Sequence, residues 1–142
     1  MSDVTSLEVE FLFHMHATLA DPVVIPNGPS GTRVIVGITG GTVKGPKVNG
    51  TIAHLGADWL TIRTDGTAQL DVRALITTDD GVPIHAHYSG VMSPGADGIP
   101  QIVTAPLFEV GDERYSWLNG LQAIAVGVAG TGTVDYDVYR VL

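Results

Sequence analysis

Cysteine is absent from the 142-residue sequence, and this absence excludes several kinds of chemistry. Without a thiol the chain can form no disulfide, thiolate nucleophile, iron–sulfur cluster or cysteine-bound zinc site. Basic residues are also scarce: 7 Lys and Arg stand against 15 Asp and Glu, for a formal net charge of −8 and a pI near 4.7. Because such a chain repels phosphate backbones and anionic lipids, neither nucleic acid nor a membrane is expected as a partner.

Long apolar runs are missing as well. No stretch approaches the roughly 18 apolar residues that a membrane-spanning helix needs. Met1 to Glu10 carries three acidic residues and no basic region followed by an apolar run, so we predict no signal peptide and expect a cytoplasmic protein. A hydrophobic content of 44% with 15% charged residues is typical of a folded chain, and the length predicts one domain over residues 1–142.

What the sequence has instead is alternation of apolar residues with a period of two, which is typical of β-strands. Between Leu7 and Leu19 every odd-numbered residue is apolar, so we expect these residues to share one strand face. Further strands are predicted at Arg33 to Thr39, Trp59 to Thr64, Ala68 to Thr77, Val82 to Met92, Ile99 to Pro106, Leu121 to Ala129 and Thr133 to Val141.

Turn residues separate these runs. The steps Asp65-Gly66 and Asp80-Gly81 supply the positive φ that tight hairpins need, so successive strands are expected to pair. Glycine-rich breaks at residues 27–31, 40–50, 93–98 and 130–132 have the spacing of an all-β barrel or sandwich. Of these two we predict a single antiparallel β-barrel with an internal pocket.

One short helix is predicted near residues 112–119. Asp112 can cap a helix over Glu113 to Leu118, and Gly120 follows where a left-handed terminator is common. Such a helix would cover one end of the barrel as a lid or plug.

Eight blocks of sequence occur in an order typical of one bacterial and fungal family. They are Gly40 to Gly50, Gly56 to Trp59, Arg63 to Thr67, Leu70 to Arg73, Thr78 to Gly81, Phe108 to Asp112, Tyr115 to Asn119 and Tyr136 to Tyr139. On these blocks, almost the whole chain resembles the family called domain of unknown function 3237.

The resemblance implies a calycin-like β-barrel that often self-associates, so a homodimer is expected. Most members lack an assigned activity, and some look like cofactor-free enzymes. The implied chemistry is addition to activated double bonds, as in intramolecular hydroalkoxylation or conjugate hydration, with related lyase or isomerase steps. Where the family pattern tends to have Tyr, Arg or Thr, this chain has His14, His16, His85 and His87.

Asp71 and Arg73 are the strongest local pair, because residues two apart on a strand project from the same face. Arg73 could hold an enolate or carboxylate oxygen while Asp71 moves a proton. A structural ion pair on the outside of the barrel is an equal alternative, since the sequence does not say which face points inward.

The histidines form two further pairs, His14 with His16 and His85 with His87, each on one strand face. The carboxylate that commonly follows a His-x-His metal motif is missing after His87, so we predict no metal and no cofactor. His85 or His87 is predicted to act as a general acid or base, because the ordinary imidazole pKa suits proton transfer at neutral pH. Local hydrogen bonding of these histidines is the simpler alternative.

Other residues are expected to bind a substrate in the pocket. Aromatic side chains provide flat apolar walls with polar tips, and Asp58 follows the glycine-rich loop in a family block. The predicted catalytic residues are Asp71, Arg73, His85 and His87; the predicted substrate-binding residues are Asp58, Trp59, Tyr88, Phe108, Tyr115, Trp117, His14 and His16.

We therefore predict a cofactor-independent lyase or isomerase that acts on a small, apolar substrate with an activated double bond. The alternative is a non-catalytic carrier, because a closed barrel of this size can also hold one apolar molecule. A purely structural self-associating module is a third possibility, and it would need a large exposed apolar strand face.

Overall fold

The computed structural model describes residues 5–142 and forms one antiparallel sheet of ten strands. The strands are β1 (Val9–Leu19), β2 (Val23–Gly28), β3 (Gly31–Lys44), β4 (Gly50–Ile62), β5 (Ala68–Thr78), β6 (Pro83–Ser93), β7 (Gln101–Thr104), β8 (Leu107–Glu109), β9 (Ala123–Gly130) and β10 (Thr133–Val141). Eight strands close a barrel in the order β1-β10-β9-β7-β6-β5-β4-β3, because β1 also pairs with β3. The predicted all-β barrel is confirmed.

Alternation along each strand divides the residues between the core and the outside. On β5 the inward side chains are Leu70, Val72, Ala74 and Ile76, all buried, while Gln69, Asp71 and Arg73 are exposed. The same period holds on β6, where Ile84, Ala86 and Tyr88 are buried. The core therefore fills the barrel interior, and the odd-numbered residues of β5 lie outside it.

β1 departs from the predicted single apolar face. A bulge in its pairing with β10 lies between Phe11 and Phe13. The extra residue reverses the alternation there, so Leu12 and Phe13 are both buried while Val9 and Phe11 are exposed. The expectation that all the odd-numbered apolar residues from Leu7 to Leu19 share one face is thus wrong, because Val9 and Phe11 point outward whereas Phe13 points inward.

Strands β2 and β8 were not predicted, since they lie in glycine- and proline-rich sequence. β2 continues the course of β1 along β3, and β3 itself runs through the predicted break at Gly40 and Gly41. The hairpin turns are confirmed: Gly66 and Gly81 have φ values of 86° and 87°.

The predicted helix is shorter and tighter than expected. Only a 3-10 helix forms, over Ser116–Gly120, and Asp112 binds the preceding turn by accepting a hydrogen bond from the Arg114 N–H. Gly120 does not adopt a positive φ, so the expected left-handed terminator is wrong. Leu118 is fully buried and anchors this segment in the core beside β8, so the 3-10 helix covers one end of the barrel.

No helix within residues 5–142 is long and apolar enough to cross a membrane.

Candidate functional site

The opposite end of the barrel contains a cavity of about 170 Å³. It lies beside the end of β1 and the turn between β9 and β10, far along β1 from the 3-10 helix. Aliphatic side chains make up most of its lining, among them Leu19, Val36, Ile38, Leu60, Leu70, Val72, Met92 and Ile102. The polar side chains among the described lining residues are Asp58, Tyr88, Thr133 and Tyr136.

Strand register brings Asp58 into this cavity. In the pairing of β3, β4, β5 and β6, Asp58 stands opposite Val36 and Val72, and Val72 stands opposite Tyr88. Directly opposed residues point to the same face of a sheet, and Val72 and Tyr88 are buried inside the barrel. Asp58 therefore projects inward, although its neighbour Trp59 is exposed on the outside.

The Asp58 carboxyl is poised to exchange a proton near neutral pH. Burial raises its pKa from 3.8 to about 6, and the negative charge of Asp71 adds to the rise. A hydrogen bond from the Asp71 backbone N–H to Oδ1, 3.1 Å long, opposes that shift and fixes the carboxylate. Asp58 is thus ionised at pH 7, and because its pKa lies close to that pH, protonating the carboxylate costs little free energy.

Tyr88 and Tyr136 form the second polar feature of the cavity. Their rings meet edge to face with centroids 5.7 Å apart, although β6 and β10 are not neighbours in the sheet. Burial raises the pKa of both phenols above the usual 10, and the Asp58 charge adds to the effect on each. Both hydroxyls therefore stay protonated at neutral pH and can donate hydrogen bonds to an oxygen in the cavity.

Small inward residues on β9 make room for Tyr136. Gly127 lies opposite Tyr136 in the register, and a Cβ at Gly127 would stand 2.5 Å from Cε1 of the ring. Ala123 and Ala125 continue this narrow inner surface along β9. The missing side chain at Gly127 lets the Tyr136 ring lie across the barrel interior against Tyr88.

The four predicted catalytic residues come together, but on the outside of the barrel. Register places Arg73 opposite His87, and His87 Nε2 lies 3.3 Å from Asp71 Oδ1. The His85 and His87 rings stack with centroids 6.5 Å apart. None of the four lines the cavity, and no ion pair joins Asp71 to Arg73 within residues 5–142, so the predicted carboxylate–guanidinium contact is absent.

His14 and His16 also face outward, on β1. His14 Nδ1 lies 2.9 Å from Asp137 Oδ1, while His14 Nε2 and His16 Nδ1 lie 3.0 and 2.8 Å from Asp135 Oδ1. Hydrogen bonds to Asp137 and then Asp135 raise the pKa of His14. Within residues 5–142, no group of three or more potential ligands has the geometry of a metal site.

The predicted aromatic contacts separate into several places. Tyr88 lines the cavity, whereas Phe108 packs edge-on against Phe13 in the core. Tyr115 donates a hydrogen bond of 2.8 Å to Asp80, and the Trp117 ring lies beneath Lys47 Nζ. Of the eight predicted substrate-binding residues, the structure brings Asp58 and Tyr88 to the cavity.

Tyr136 and Thr133 line the cavity but were not predicted as site residues. Tyr136 belongs to one of the sequence blocks that carry the family resemblance, and it alternates with the outward Asp135 and Asp137. Its contact with Tyr88 depends on strands that are far apart in sequence, so no local pattern indicates it.

Comparisons with known proteins agree with this architecture. A β-barrel-like protein of Acinetobacter baumannii has a TM-score of 0.93 at 27% identity, with all of both chains covered. A UPF0311 protein of Rhodopseudomonas palustris (strain ATCC BAA-98 / CGA009) is 30% identical over 152 residues, covering 96% of this chain and 98% of that protein.

Two similarities involve a fungus. The hydroalkoxylation enzyme phnH of Penicillium herquei is 30% identical over 120 residues, covering 84% of this chain and 73% of that enzyme. The structure of an enzyme from the same species has a TM-score of 0.77 at 27% identity, covering 100% of this chain and 99% of that one.

The model of the protein family of unknown function DUF3237 matches residues 7–141. That match spans nearly every described residue, including the strands that carry Asp58, Tyr88 and Tyr136. The chain therefore belongs to the DUF3237 family.

Proposed function

We propose that this protein is a cofactor-independent enzyme that adds a hydroxyl group across an activated carbon–carbon double bond within one small, neutral substrate. The observation that carries the proposal is the Asp58 carboxyl, whose pKa burial raises to about 6, on the wall of an otherwise apolar cavity. A general base is most effective when its pKa lies near the working pH.

The reaction needs one proton to be moved. Asp58 removes the proton from the substrate hydroxyl as its oxygen bonds to the β-carbon of an enone, and the π electrons move to the carbonyl oxygen. The resulting enolate takes a proton at its α-carbon, and protonated Asp58 can supply it. No electron donor or acceptor is needed, because the product is an isomer of the substrate.

Tyr88 and Tyr136 are assigned to the enolate oxygen. Both phenols keep their protons at neutral pH. The negative charge of Asp58 contributes to the raised pKa of each tyrosine, and all three side chains line the same cavity. Hydrogen bonds to an oxyanion strengthen as its charge develops, and beside an aliphatic lining they stabilise the transition state more than they do in bulk water.

The cavity lowers the reaction barrier further by restricting the conformations of the bound substrate. Its aliphatic lining favours a folded apolar molecule. Holding the hydroxyl near the double bond can lower the activation barrier by several kcal/mol. Similarity to the fungal hydroalkoxylation enzyme supports this reaction class.

The outer-face residues Asp71, Arg73, His85 and His87 have no place in this mechanism. The proposal therefore gives the proton-transfer role to Asp58, which the sequence indicated for substrate binding. Asp71 makes a matched control, because its side chain contacts His87 outside the barrel and its charge is the smallest of the three influences on the pKa of Asp58. The Asp71 backbone N–H that binds Asp58 is retained in Asp71→Asn.

The test uses o-hydroxyphenyl vinyl ketone, whose phenol closes onto the vinyl group to give chroman-4-one. Asp58→Asn should lower kcat/KM by about 10²-fold or more while the affinity for chroman-4-one changes by less than about tenfold. Asp71→Asn should leave both values within about threefold of the wild type.

Three results would contradict this assignment. Retained turnover in Asp58→Asn would remove Asp58 from the chemistry. Loss of turnover in Asp71→Asn alone would return catalysis to the outer face. Tight binding of chroman-4-one by a wild-type protein that never accelerates ring closure would favour the carrier.

A further inference from the structure

The pairing of β1 with β10, here called the β1–β10 seam, has on its outer side four polar side chains that the proposed mechanism does not use. His14 and His16 of β1 stand directly opposite Asp137 and Asp135 of β10. Three contacts of 2.9, 3.0 and 2.8 Å join them, and Asp135 Oδ1 takes part in two of the three. These contacts link strands from opposite ends of the chain.

His14 contacts a carboxylate with each of its two ring nitrogens. Nδ1 lies 2.9 Å from Asp137 Oδ1, and Nε2 lies 3.0 Å from Asp135 Oδ1. An ionised carboxylate only accepts hydrogen bonds, and a neutral imidazole has one N–H to donate, so both contacts are hydrogen bonds only when His14 is an imidazolium. Its pKa agrees with this, because the hydrogen bonds to Asp137 and then Asp135 raise it above 6.5.

Loss of the His14 proton would turn one of these hydrogen bonds into a repulsion. The deprotonated nitrogen would direct a lone pair at a carboxylate oxygen, and Asp135 and Asp137, on one face of β10, would lose the cation between them. The folded state binds this proton more tightly than the unfolded chain does. The contribution of His14 to stability is therefore fully present below pH 6.5 and is lost as the pH rises through the higher pKa of the folded state.

In the described part of the chain, one charged residue faces these four side chains from a neighbouring strand. Lys44 on β3 stands opposite His14. Its like charge disfavours an imidazolium, whereas the two carboxylates in hydrogen-bond contact with the ring favour one. The other outward neighbours carry neither a carboxylate nor an amine: Thr18 of β1, Thr42 of β3, Val126 and Val128 of β9, and Tyr139 of β10.

The inner side of the same seam is a wall of the cavity. Ala17 of β1 stands opposite Val134 of β10, and both line the cavity. Tyr136, which lies between the two aspartates in sequence, also lines it and stands opposite Met15, which lies between the two histidines. Because alternate residues of a strand point to opposite faces, a shift of β1 against β10 would move these inward side chains together with the outer ones.

We propose that His14 is a proton-dependent clamp on the wall of the cavity. As an imidazolium it holds β1 against β10, and after it loses its proton the seam loosens and the cavity binds its ligand less tightly. This regulation acts above neutral pH, whereas Asp58 titrates near pH 6. It rests on the proposed function for the choice of ligand, while the clamp itself depends on the fold alone.

The test compares the wild type with three variants at pH 7 and pH 9. His14→Arg keeps a cation that can contact two carboxylates at both pH values, and His14→Gln has no charge. His54→Gln, at an exposed histidine of β4, is the matched control. Between pH 7 and pH 9, the equilibrium constant for urea unfolding should rise at least about twofold more in the wild type and the control than in His14→Arg.

Calorimetric titration with chroman-4-one measures the effect on the cavity. The wild type and His54→Gln should bind it at least about twofold more weakly at pH 9 than at pH 7, His14→Arg should bind it equally at both, and His14→Gln should bind it weakly at both. Asp58 is already ionised at pH 7, and the raised pKa values of Tyr88 and Tyr136 keep both phenols protonated at pH 9, so none of these groups accounts for the change.

NMR of the wild type follows the His14 ring and Tyr136 over the same range without a ligand. Both ring nitrogens of His14 should carry a proton at pH 7, and the Tyr136 resonances should change with the His14 titration in the wild type but not in His14→Arg. One unprotonated nitrogen at pH 7, an affinity for chroman-4-one that is the same at both pH values, or an effect on unfolding alone would each overturn the clamp.

Failure of the proposed function gives a different result. If the wild type binds no chroman-4-one at pH 7, that function is wrong and NMR decides on the clamp. Tyr136 resonances that follow the His14 titration would then support the clamp, and resonances that do not follow it would overturn it.

Discussion

At the scale of single residues, Asp58 shows how a group suited to proton transfer can reduce stability. Burial raises its pKa from 3.8 to about 6, so the folded state holds this proton more tightly than the unfolded chain does. The contribution of Asp58 to stability is therefore greatest below pH 3.8 and decreases as the pH rises to about 6. At pH 7 the folded protein holds a charge that its surroundings disfavour.

Asp58→Asn should consequently stabilise the protein at neutral pH while removing activity. We expect the free energy of unfolding at pH 7 to rise by on the order of 1–3 kcal/mol, since the amide oxygen can still accept the Asp71 N–H. Urea unfolding of both proteins at pH 4 and pH 7 measures this. The variant should gain more at pH 7 than at pH 4, and a loss of stability at pH 7 would mean that the charged carboxylate is well solvated in the fold.

Gly127 carries a second prediction at this scale. In Gly127→Ala the new methyl group would collide with the Tyr136 ring, 2.5 Å from Cε1, and push the ring toward the cavity. We expect a loss of about 1–3 kcal/mol in stability from overpacking, together with weaker binding of chroman-4-one.

Thermal unfolding and titration with chroman-4-one measure the two effects. Adding Tyr136→Leu to Gly127→Ala should restore part of the stability, because the smaller side chain leaves space for the methyl group. If Gly127→Ala alone is neutral in both measurements, the tyrosine does not depend on this glycine for its position.

At the scale of secondary-structure elements, the 3-10 helix depends on one side chain. Leu118 is fully buried beside β8, while the polar residues before it are held at the surface by Asp80 and Asp112. Hydrogen bonds from Arg114 lower the pKa of Asp112 to about 2, yet that group lies in solvent. Burial of Leu118, more than these surface contacts, keeps this end of the barrel closed.

Leu118→Ala should thus cost about 2–5 kcal/mol of unfolding free energy, the usual range for truncating a buried leucine. Leu55→Ala is the matched control, because Leu55 is 60% exposed, and it should change stability by less than about 0.5 kcal/mol. Chemical denaturation measures both. Similar values for the two variants would show that the 3-10 helix contributes little to the fold.

Elements also show what could be read from the sequence. The two-residue period and the Asp-Gly turns predicted most barrel strands, and β10 has the predicted bounds. The period establishes that a strand has two faces but not which one is buried. The sequence therefore predicts that Asp71 and Arg73 share a face of β5, but not that this face lies outside the barrel. The bulge after Phe11 and the contact of Tyr88 with Tyr136 depend on partner strands distant in sequence, which no local pattern specifies.

At the scale of the whole molecule, charge restricts what can enter the cavity. The chain is acidic overall, and Asp58 is the one charged residue among the described residues that line the cavity. An anion would meet a carboxylate at pH 7 and no Lys, Arg or His within that lining. The proposed substrate is therefore neutral, and discrimination against anions should depend on the protonation of Asp58.

Acetophenone and benzoate, which are similar in shape and differ in charge, test this at equilibrium. At pH 7 benzoate should bind at least about tenfold more weakly, the effect of roughly 1.4 kcal/mol of repulsion. As the pH falls through about 6, Asp58 becomes neutral and benzoate, which is still ionised, should gain affinity while acetophenone does not. Calorimetric titration across this range measures both ligands.

Asp58→Asn should abolish the pH dependence of benzoate binding. Tighter binding of benzoate than of acetophenone by the wild type at pH 7 would mean that a cationic group, not Asp58, controls entry to the cavity.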